Sequence, residues 1–386
     1  MTTLQHSAFG PRKPVEMEVH GPRGSLRHRC SECQQPSSNL RLCTGCNVVR
    51  YCPREHQVEH RPAHKSTCSK IKKGRAKLSK EEELVRNATP DFATPANAFE
   101  TSVGHFWGIL STRDYMRARF DLADSVRRVG TLDGVQEGLA YLQDMLRLCR
   151  SDNMGVRDIV PYLMLQLDQD QECYDFVKWY QTEGQRGDYD WGDMSLPFLN
   201  IRDASVWESA DYLDRRFLSI NHVSAIHLLK LKLLIDIRNL KIARKAPPKN
   251  VPNELVENIE LAVIRMRQLG LAIHQANTHF FSALIESGEH LAARPGYYSA
   301  GTIQEMQLAL QHGYSAWWQT EGVVEILQEA YKKALPSQGN ARGLRKIQET
   351  LGLPGGPISD DEDARSTGAY GMWYQIKDVL NRSADI

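Results

Sequence analysis

The sequence predicts two unlike parts: a small cross-braced module near the N-terminus and an all-α region behind it. Three observations predict this. Six of the eight cysteines fall between Cys30 and Cys68. From Val103 onward, apolar residues recur three or four positions apart, the spacing of one helix face. Strand-like alternation is scarce outside the cysteine-rich stretch.

At 386 residues the chain has room for two or three domains and a buried core. Charged residues make up 25% and the apolar set 41%, with a net charge of +1, so the whole-chain balance points to neither a membrane nor a nucleic-acid partner. The longest uncharged stretch, Met306 to Thr320, holds 15 residues and includes Gln and His, too short and polar to span a bilayer. The opening MTTLQHSAFGPRKP has no apolar core, so a secretory leader is not expected. The average hides an asymmetry. Between His20 and Lys80 there are 14 Lys and Arg against three Glu, a surplus of 11 that leaves the rest of the chain mildly acidic.

The clustered cysteines sit with histidines at metal-ligand spacing. Cys30 and Cys33 form one C-x2-C pair, and Cys43 and Cys46 form another. Cys52 and His56, then His64 and Cys68, stand four apart, which places each pair one helical turn apart on one face. Without a secretory leader, such density points to metal rather than disulfides. Eight Cys and His ligands make two tetrahedral sets with no position left for water, which is structural zinc chemistry. Cys149 and Cys173 stand alone in apolar surroundings and read as small buried side chains.

Residues 30–68 resemble a MYND zinc finger, whose pattern is two C-x2-C pairs, an aromatic–Cys step, C-x3-C-Q and a closing H-x3-C. Tyr51-Cys52, Gln57, Pro62 and His64-Lys65 fit it as well. The resemblance implies two structural Zn2+ ions held by interleaved pairs. Carried over, one ion takes Cys30, Cys33, Cys52 and His56, and the other takes Cys43, Cys46, His64 and Cys68. Two positions depart from the pattern. His56 stands where the family usually has Cys, which leaves a Cys3His site. His60 is a rival ligand, read as a surface histidine because Pro62 is expected to break the helix there. Arg61 stands where the family usually has the Trp that, with the Gln, lines a groove for proline-rich peptides. The implied groove keeps Gln57 and loses its aromatic wall.

The expected organisation is a disordered N-terminus over 1–27, the finger over 28–70 and a basic-to-acidic linker over 71–100. An all-helical, repeat-like domain follows over 101–335, then a mostly disordered tail over 336–386. The linker begins with Lys70, Lys72, Lys73, Arg75, Lys77 and Lys80 and continues through Glu81-Glu82-Glu83 to Pro90 and Pro95. In the body, Leu122, Ala123, Val126 and Val129 mark one helix face, and Leu139, Leu142, Met145 and Leu146 mark the next. Ile159, Val160, Leu163, Met164 and Leu167 repeat the stripe, and Cys173, Phe176, Val177 and Tyr180 close a second pair. Leu122 and Ile159, Val126 and Leu163, and Leu142 and Trp179 are each 37 positions apart. Tetratricopeptide repeats run near about 34 residues, so the domain is expected to be TPR-like, with a generic helical bundle as the alternative. Residues 184–210 read as a packed surface loop, or as an insertion that caps a groove. Later helices are expected over Val223–Leu240 and around Leu255 to Leu269, separated by Pro247-Pro248. A capping box at Thr302 and Glu305 opens a helix through Trp318, and another helix covers Val323–Ala334. The tail carries an acidic run, Asp360 to Asp363, beside Ser359 as a phosphorylation candidate, and an amphipathic piece near Trp373 to Leu380.

No catalytic constellation emerges. SET-and-MYND methyltransferases share the finger and a TPR-like end, but their strand-rich core carries an Asn-His-Ser-Cys motif. Only Asn221-His222 echoes that motif here, inside a helical stretch. The body histidines His105, His222, His227, His274, His279, His290 and His312 are scattered and read as satisfied structural residues. The reading is a zinc-dependent scaffold or adaptor, acting in the nucleus or cytoplasm in transcriptional regulation or signalling. Its partners are other proteins, met through the finger and the helical groove, with no membrane. The alternatives are a nuclear factor touching nucleic acid through residues 20–80, and an unrecognised enzyme such as a divergent methyltransferase.

Overall fold

The computed structural model describes residues 23–213, 218–242, 259–334, 369–376 and 379. The expectations for residues 1–22, for the Pro247-Pro248 break, for Leu255, and for the tail over 336–368 with Ser359 lie outside the described residues.

The finger is a run of turns around one short hairpin. Strand β1 (Arg41–Leu42) pairs antiparallel with β2 (Arg50–Tyr51), with Arg41 opposite Tyr51 and Leu42 opposite Arg50. Apart from isolated bridges, this hairpin is the strand content of the described residues; helices account for the body. The cysteine-rich module is followed by a helical region, and no helix among the described residues is long and apolar enough to cross a membrane.

Helix α1 departs most from expectation. It runs unbroken over Arg54–Arg86, through Pro62 and through residues 71–86 of the expected linker. Pro62 removes one backbone N–H, which usually breaks a helix. Here Pro62 and Val58, one turn earlier, both face solvent, so the carbonyl left without that partner is on the wet side. The helix is fixed instead along its inner face. His64, Cys68, Ile71, Leu78 and Val85 are buried, a stripe whose last three members lie seven apart. That stripe packs on α3 (Arg113–Arg127). Ile71 is 0% exposed. Three apolar residues among so many lysines and glutamates are too sparse to stand out as a helix face in composition.

Behind α1 the body is built from helical hairpins. Helix α2 (Ala98–Thr101) leads to α3, which pairs with α4 (Leu132–Leu148), and α5 (Val160–Gln166) pairs with α6 (Asp170–Gln181). Helices α4 and α5 also touch, so the two hairpins stack. The 37-residue correspondence is uneven. Leu142 and Trp179 both sit inside their helices and are buried, but Leu122 lies well inside α3 while Ile159 caps α5, a helix of only 7 residues. Residues 184–210 form a packed loop. Trp179 meets Phe198 at 5.0 Å and Trp191 at 5.9 Å between ring centroids, and its Nε1–H donates to Asn200 Oδ1 at 3.0 Å.

Helix α7 (Ile220–Ile242) is apolar on nearly every side and runs through the centre of the second half, against α5, α6, α8 (Ile259–Ala276) and α10 (Ile303–Gln319). Helices α9 (Phe280–Ile285) and α11 (Val323–Ala334) complete the layer. The amphipathic piece expected near Trp373 is helical over 369–376 and belongs to this core. Trp373 lies so close to Gly270 of α8 that a Cβ there would fall 2.5 Å from the indole. Thr302 caps α10 as expected, accepting from the Glu305 N–H, but Glu305 accepts from the Gly301 N–H at 2.7 Å rather than from Thr302. Cys149 and Cys173 are buried and unpaired.

The α1–α3 contact yields a test. Ile71→Ala should lower unfolding stability by about 2–5 kcal/mol, the cost of emptying a tight apolar site, measured by denaturant titration. In a solvated linker the same change would stay within about 0.5 kcal/mol, and that smaller value would contradict this packing.

Candidate metal centre

Each ligand comes from a turn or helix end that aims it inward. Cys30 and Cys33 bracket a turn closed by the Gln34 N–H donating to the Cys30 carbonyl at 2.9 Å, with Gln34 at φ +57°. Cys43 and Cys46 bracket an equivalent turn after β1, closed by the Asn47 N–H to the Cys43 carbonyl at 2.8 Å, with Asn47 at φ +59°. Asn47 is one of the short polar residues that tolerate this left-handed conformation. Cys52 follows β2 and stands just outside α1, whose N-cap is Pro53. The expectation that Cys52 and His56 share one helix face is therefore corrected: only His56 is on the helix. His56, His64 and Cys68 are on α1 itself.

The structure gathers these side chains into two groups. Cys30, Cys33, Cys52 and His56 form one; Cys43, Cys46, His64 and Cys68 form the other, with all four ligand atoms of each group within 4.8 Å of one another. A tetrahedral zinc with Zn–S near 2.3 Å requires edges of about 3.8 Å between sulfurs and about 3.5 Å from sulfur to nitrogen. The first group has Cys33 Sγ to Cys52 Sγ at 3.6 Å, Cys30 Sγ to His56 Nδ1 at 3.5 Å and Cys52 Sγ to His56 Nδ1 at 3.1 Å. The second has Cys43 Sγ to Cys68 Sγ at 3.8 Å and Cys46 Sγ to His64 Nε2 at 3.5 Å. Spacing and donor chemistry fit two structural zinc ions. His60 is in neither group. It is not the solvent-facing residue expected: half-buried, it pairs its Nδ1 with the Tyr51 hydroxyl at 2.9 Å and stacks on His64 at 5.5 Å.

Charge explains why these groups want a cation. Burial pushes the Cys46 thiol up to about 12, and the adjacent Cys43 sulfur adds to the rise. Burial also works against the Cys30 thiolate, yet backbone N–H groups of Cys33, Cys52 and Glu32 outweigh it and hold Cys30 near about 6. Three sulfurs crowded this closely cannot all ionise unless a multivalent cation sits between them. The two sites also differ in exposure. All four residues of the second are buried, whereas Cys33, Cys52 and His56 of the first are only half-buried.

The finger is fastened to the body through three of its contacts. Arg50 grips Asp133 at the start of α4 with two hydrogen bonds of 2.8 Å each. Thr131 caps α4, accepting from the Gly134 N–H at 3.2 Å, and donates its hydroxyl proton to the Val48 carbonyl of the finger. Arg75 of α1 donates to the Cys46 carbonyl at 2.8 Å and to Glu137 Oε2 at 2.7 Å. Sequence reading missed these three residues; Asp133, Thr131 and Glu137 lie more than 60 positions from their partners, and no local pattern marks them. Between finger and body lies a cavity of about 490 Å³ lined by Arg27, Arg29, Arg50, Asp133 and Trp318. Gln57 is half-buried and Arg61 exposed. Among the body histidines, His227 departs from the reading as satisfied. It is buried among Phe281, Trp317 and Trp373, neither ring nitrogen makes a well-formed hydrogen bond, and burial holds it neutral with its pKa down at about 3.

Residues 30–68 match the family model of the MYND finger. No curated protein and no solved structure matches the chain.

Three metal tests follow from this geometry. Elemental analysis of the full chain should return two zinc ions. A chelator titration should release them in two phases, with the half-buried first site emptying before the buried second; a single phase would contradict the difference in burial. His56→Cys should keep both ions, His56→Ala should lose the first, and His60→Ala should keep both. A further test uses Gly45, where a Cβ would fall 2.8 Å from Cys68 Sγ. Gly45→Ala should therefore cost the second ion and leave the first.

Proposed function

We propose that the protein is a zinc-dependent protein-interaction scaffold that acts in the nucleus or cytoplasm, in transcriptional regulation or signalling. MYND fingers generally mediate contacts between proteins. The observation that carries the reading here is α1. Its first half supplies three zinc ligands and its second half supplies Ile71, Leu78 and Val85 to the body. Together with the Arg50–Asp133 and Arg75–Glu137 pairs, this gives the finger a fixed orientation on the helical body. A finger held this way presents its surface together with the body's, so a partner can engage both, and the stacked hairpins fit TPR-like recognition of a polypeptide. No catalytic role is proposed: Asn221 and His222, the echo of the methyltransferase motif, stand at the start of α7 rather than in a strand-rich core.

A second reading is favoured by one observation. Lys65, Lys70, Lys72, Lys73 and Lys80 are exposed along the outer side of α1, a basic strip suited to phosphate contact. Its mark is DNA or RNA binding that weakens steeply with salt.

The test is affinity capture with the full zinc-loaded chain, followed by titration of the recovered partner in purified form. A protein partner should bind the intact chain and bind Cys68→Ala at least about tenfold more weakly, because loss of the second site loosens the finger from the body. Saturable binding of S-adenosylmethionine, or a nucleic-acid complex that competes with every captured protein, would sink the scaffold reading.

A further inference from the structure

A second cavity, about 540 Å³, lies inside the helical body, away from both metal groups. Its wall is formed by the turn before α5, the end of α6, the start of α7 and one face of α10. Two carboxylates line it, Asp158 and Glu305. Among the described residues neither forms an ion pair with a lysine or arginine. Asp158 accepts one long hydrogen bond, 3.4 Å from the Ser219 hydroxyl. Glu305 accepts from the Gly301 N–H and from the Asn277 amide at 3.1 Å.

Of the other lining groups, Arg157 is a cation that makes no ion pair with either carboxylate, and His222 Nε2 stands 3.9 Å from Asp158 Oδ1. His222 Nε2 lies 3.0 Å from the Arg157 carbonyl, which can only accept, and Nδ1 faces the Gln181 amide nitrogen at 2.7 Å. That pattern assigns a neutral ring with its proton on Nε2, and burial keeps its pKa down at about 4. His312 faces Asn221 Oδ1 at 3.2 Å and is held down at about 3 by burial, reinforced by Arg127 and Arg128. Arg157 is turned to Asp152 at 3.7 Å and lies over the Tyr180 ring. Burial, with Asp152 adding to it, outweighs the opposing pull of Arg157 and raises Asp158 to about 6.

Tyr180 is a further feature of the same wall. It is 2% exposed, lines the same cavity, and its hydroxyl has no hydrogen-bond partner. A buried polar group left unpaired is costly. Phe120, Ile159 and the 55% exposed Tyr298 add apolar and aromatic wall. Two carboxylates at neutral partners, an unpaired phenol and aromatic faces make a pocket for a cation on an aliphatic stem.

We propose that this cavity receives a lysine or arginine side chain of a partner polypeptide, its cation set against Asp158 and Glu305 and its stem along Phe120, Ile159 and Tyr298. The proposal rests on the protein-interaction reading and names the chemistry of one contact within it. The body then recognises a basic residue, while the finger supplies a second, separate surface.

The experiment uses the full zinc-loaded chain and four probes: the blocked peptide Gly-Gly-Lys-Gly-Gly, its arginine and norleucine counterparts, and n-butylamine. Binding is read by ligand-detected NMR at neutral pH. The lysine or arginine peptide should bind at least about tenfold more tightly than the norleucine peptide and than n-butylamine. Asp158→Asn should remove that preference, and Tyr180→Phe, which deletes one oxygen from a packed ring, should weaken it several-fold with an unchanged melting profile. Equal binding of lysine and norleucine peptides, or a preference that survives Asp158→Asn, overturns the proposal, and so does n-butylamine binding as tightly as the peptide. If the captured protein partner still binds Asp158→Asn with unchanged affinity, the cavity proposal is overturned and the scaffold reading stands.

Discussion

Everything in the N-terminal half depends on one helix face being used twice. The inner stripe of α1 begins as metal ligands, His64 and Cys68, and continues without a break as apolar side chains, Ile71, Leu78 and Val85. A finger of this size buries too little apolar surface to hold a fold by itself, so its order comes from metal coordination. The body has the opposite balance: large buried side chains such as Trp179, Tyr115 and Trp317 and no assigned ligand. Because α1 belongs to both, ordering by zinc at one end and by apolar packing at the other are coupled. Fixing His64 and Cys68 presets the rotation of the helix about its axis, and the same rotation presents Ile71, one turn on, to α3.

A helix alone would leave the finger free to swing about its own turns. Thr131, Arg50 and Arg75 prevent that, and two of the three side chains serve two ends at once. The Thr131 hydroxyl caps α4 and reaches the Val48 carbonyl. Arg75 spans from Cys46, a ligand residue, to Glu137 on α4. All are partly buried, and those of Arg50 and Arg75 are charge-assisted, stronger and more directional than surface pairs. The Arg75 and Thr131 contacts lie beside the second metal group, which is also the fully buried one. That site therefore bears on finger orientation, while the half-buried first site shapes the finger's outer end.

What could be read from the sequence follows from how local each constraint is. The eight ligands were legible because tetrahedral coordination and helical pitch dictate short, fixed spacings, such as Cys30 to Cys33 and His64 to Cys68. The finger's helix was not, since one exposed proline and a lysine- and glutamate-rich surface masked three apolar residues seven apart. Pro62 looked decisive because its usual effect was weighed without knowing which side of the helix it faced. In the body, the stripes over Leu122, Leu142 and Val177 gave the helices, but the shortness of α5 did not show, because the run from Ile159 to Leu165 is apolar enough to mask where the helix begins and ends. The second cavity was illegible for a different reason: Asp158, Tyr180, His222 and Glu305 come from four elements, and only folding brings them together.

The histidine at position 56 limits the charge of the first site, as His64 does in the second. A zinc ion held by four thiolates carries a net charge of −2, and one held by three thiolates and a neutral imidazole carries −1. The cost of taking a charged centre out of water rises steeply with its charge. The first site is half-buried and sits beside Glu55 and Glu59, which stay exposed at the start of α1. Replacing one thiolate by imidazole lowers both the desolvation cost and the repulsion from those carboxylates, while the ring keeps the Nδ1 lone pair that zinc needs. His64 does the same in the buried site, where the two sulfurs of Cys43 and Cys68 already stand 3.8 Å apart. One imidazole in each group thus keeps the charge of both centres small, and the basic side chains around them can satisfy what remains.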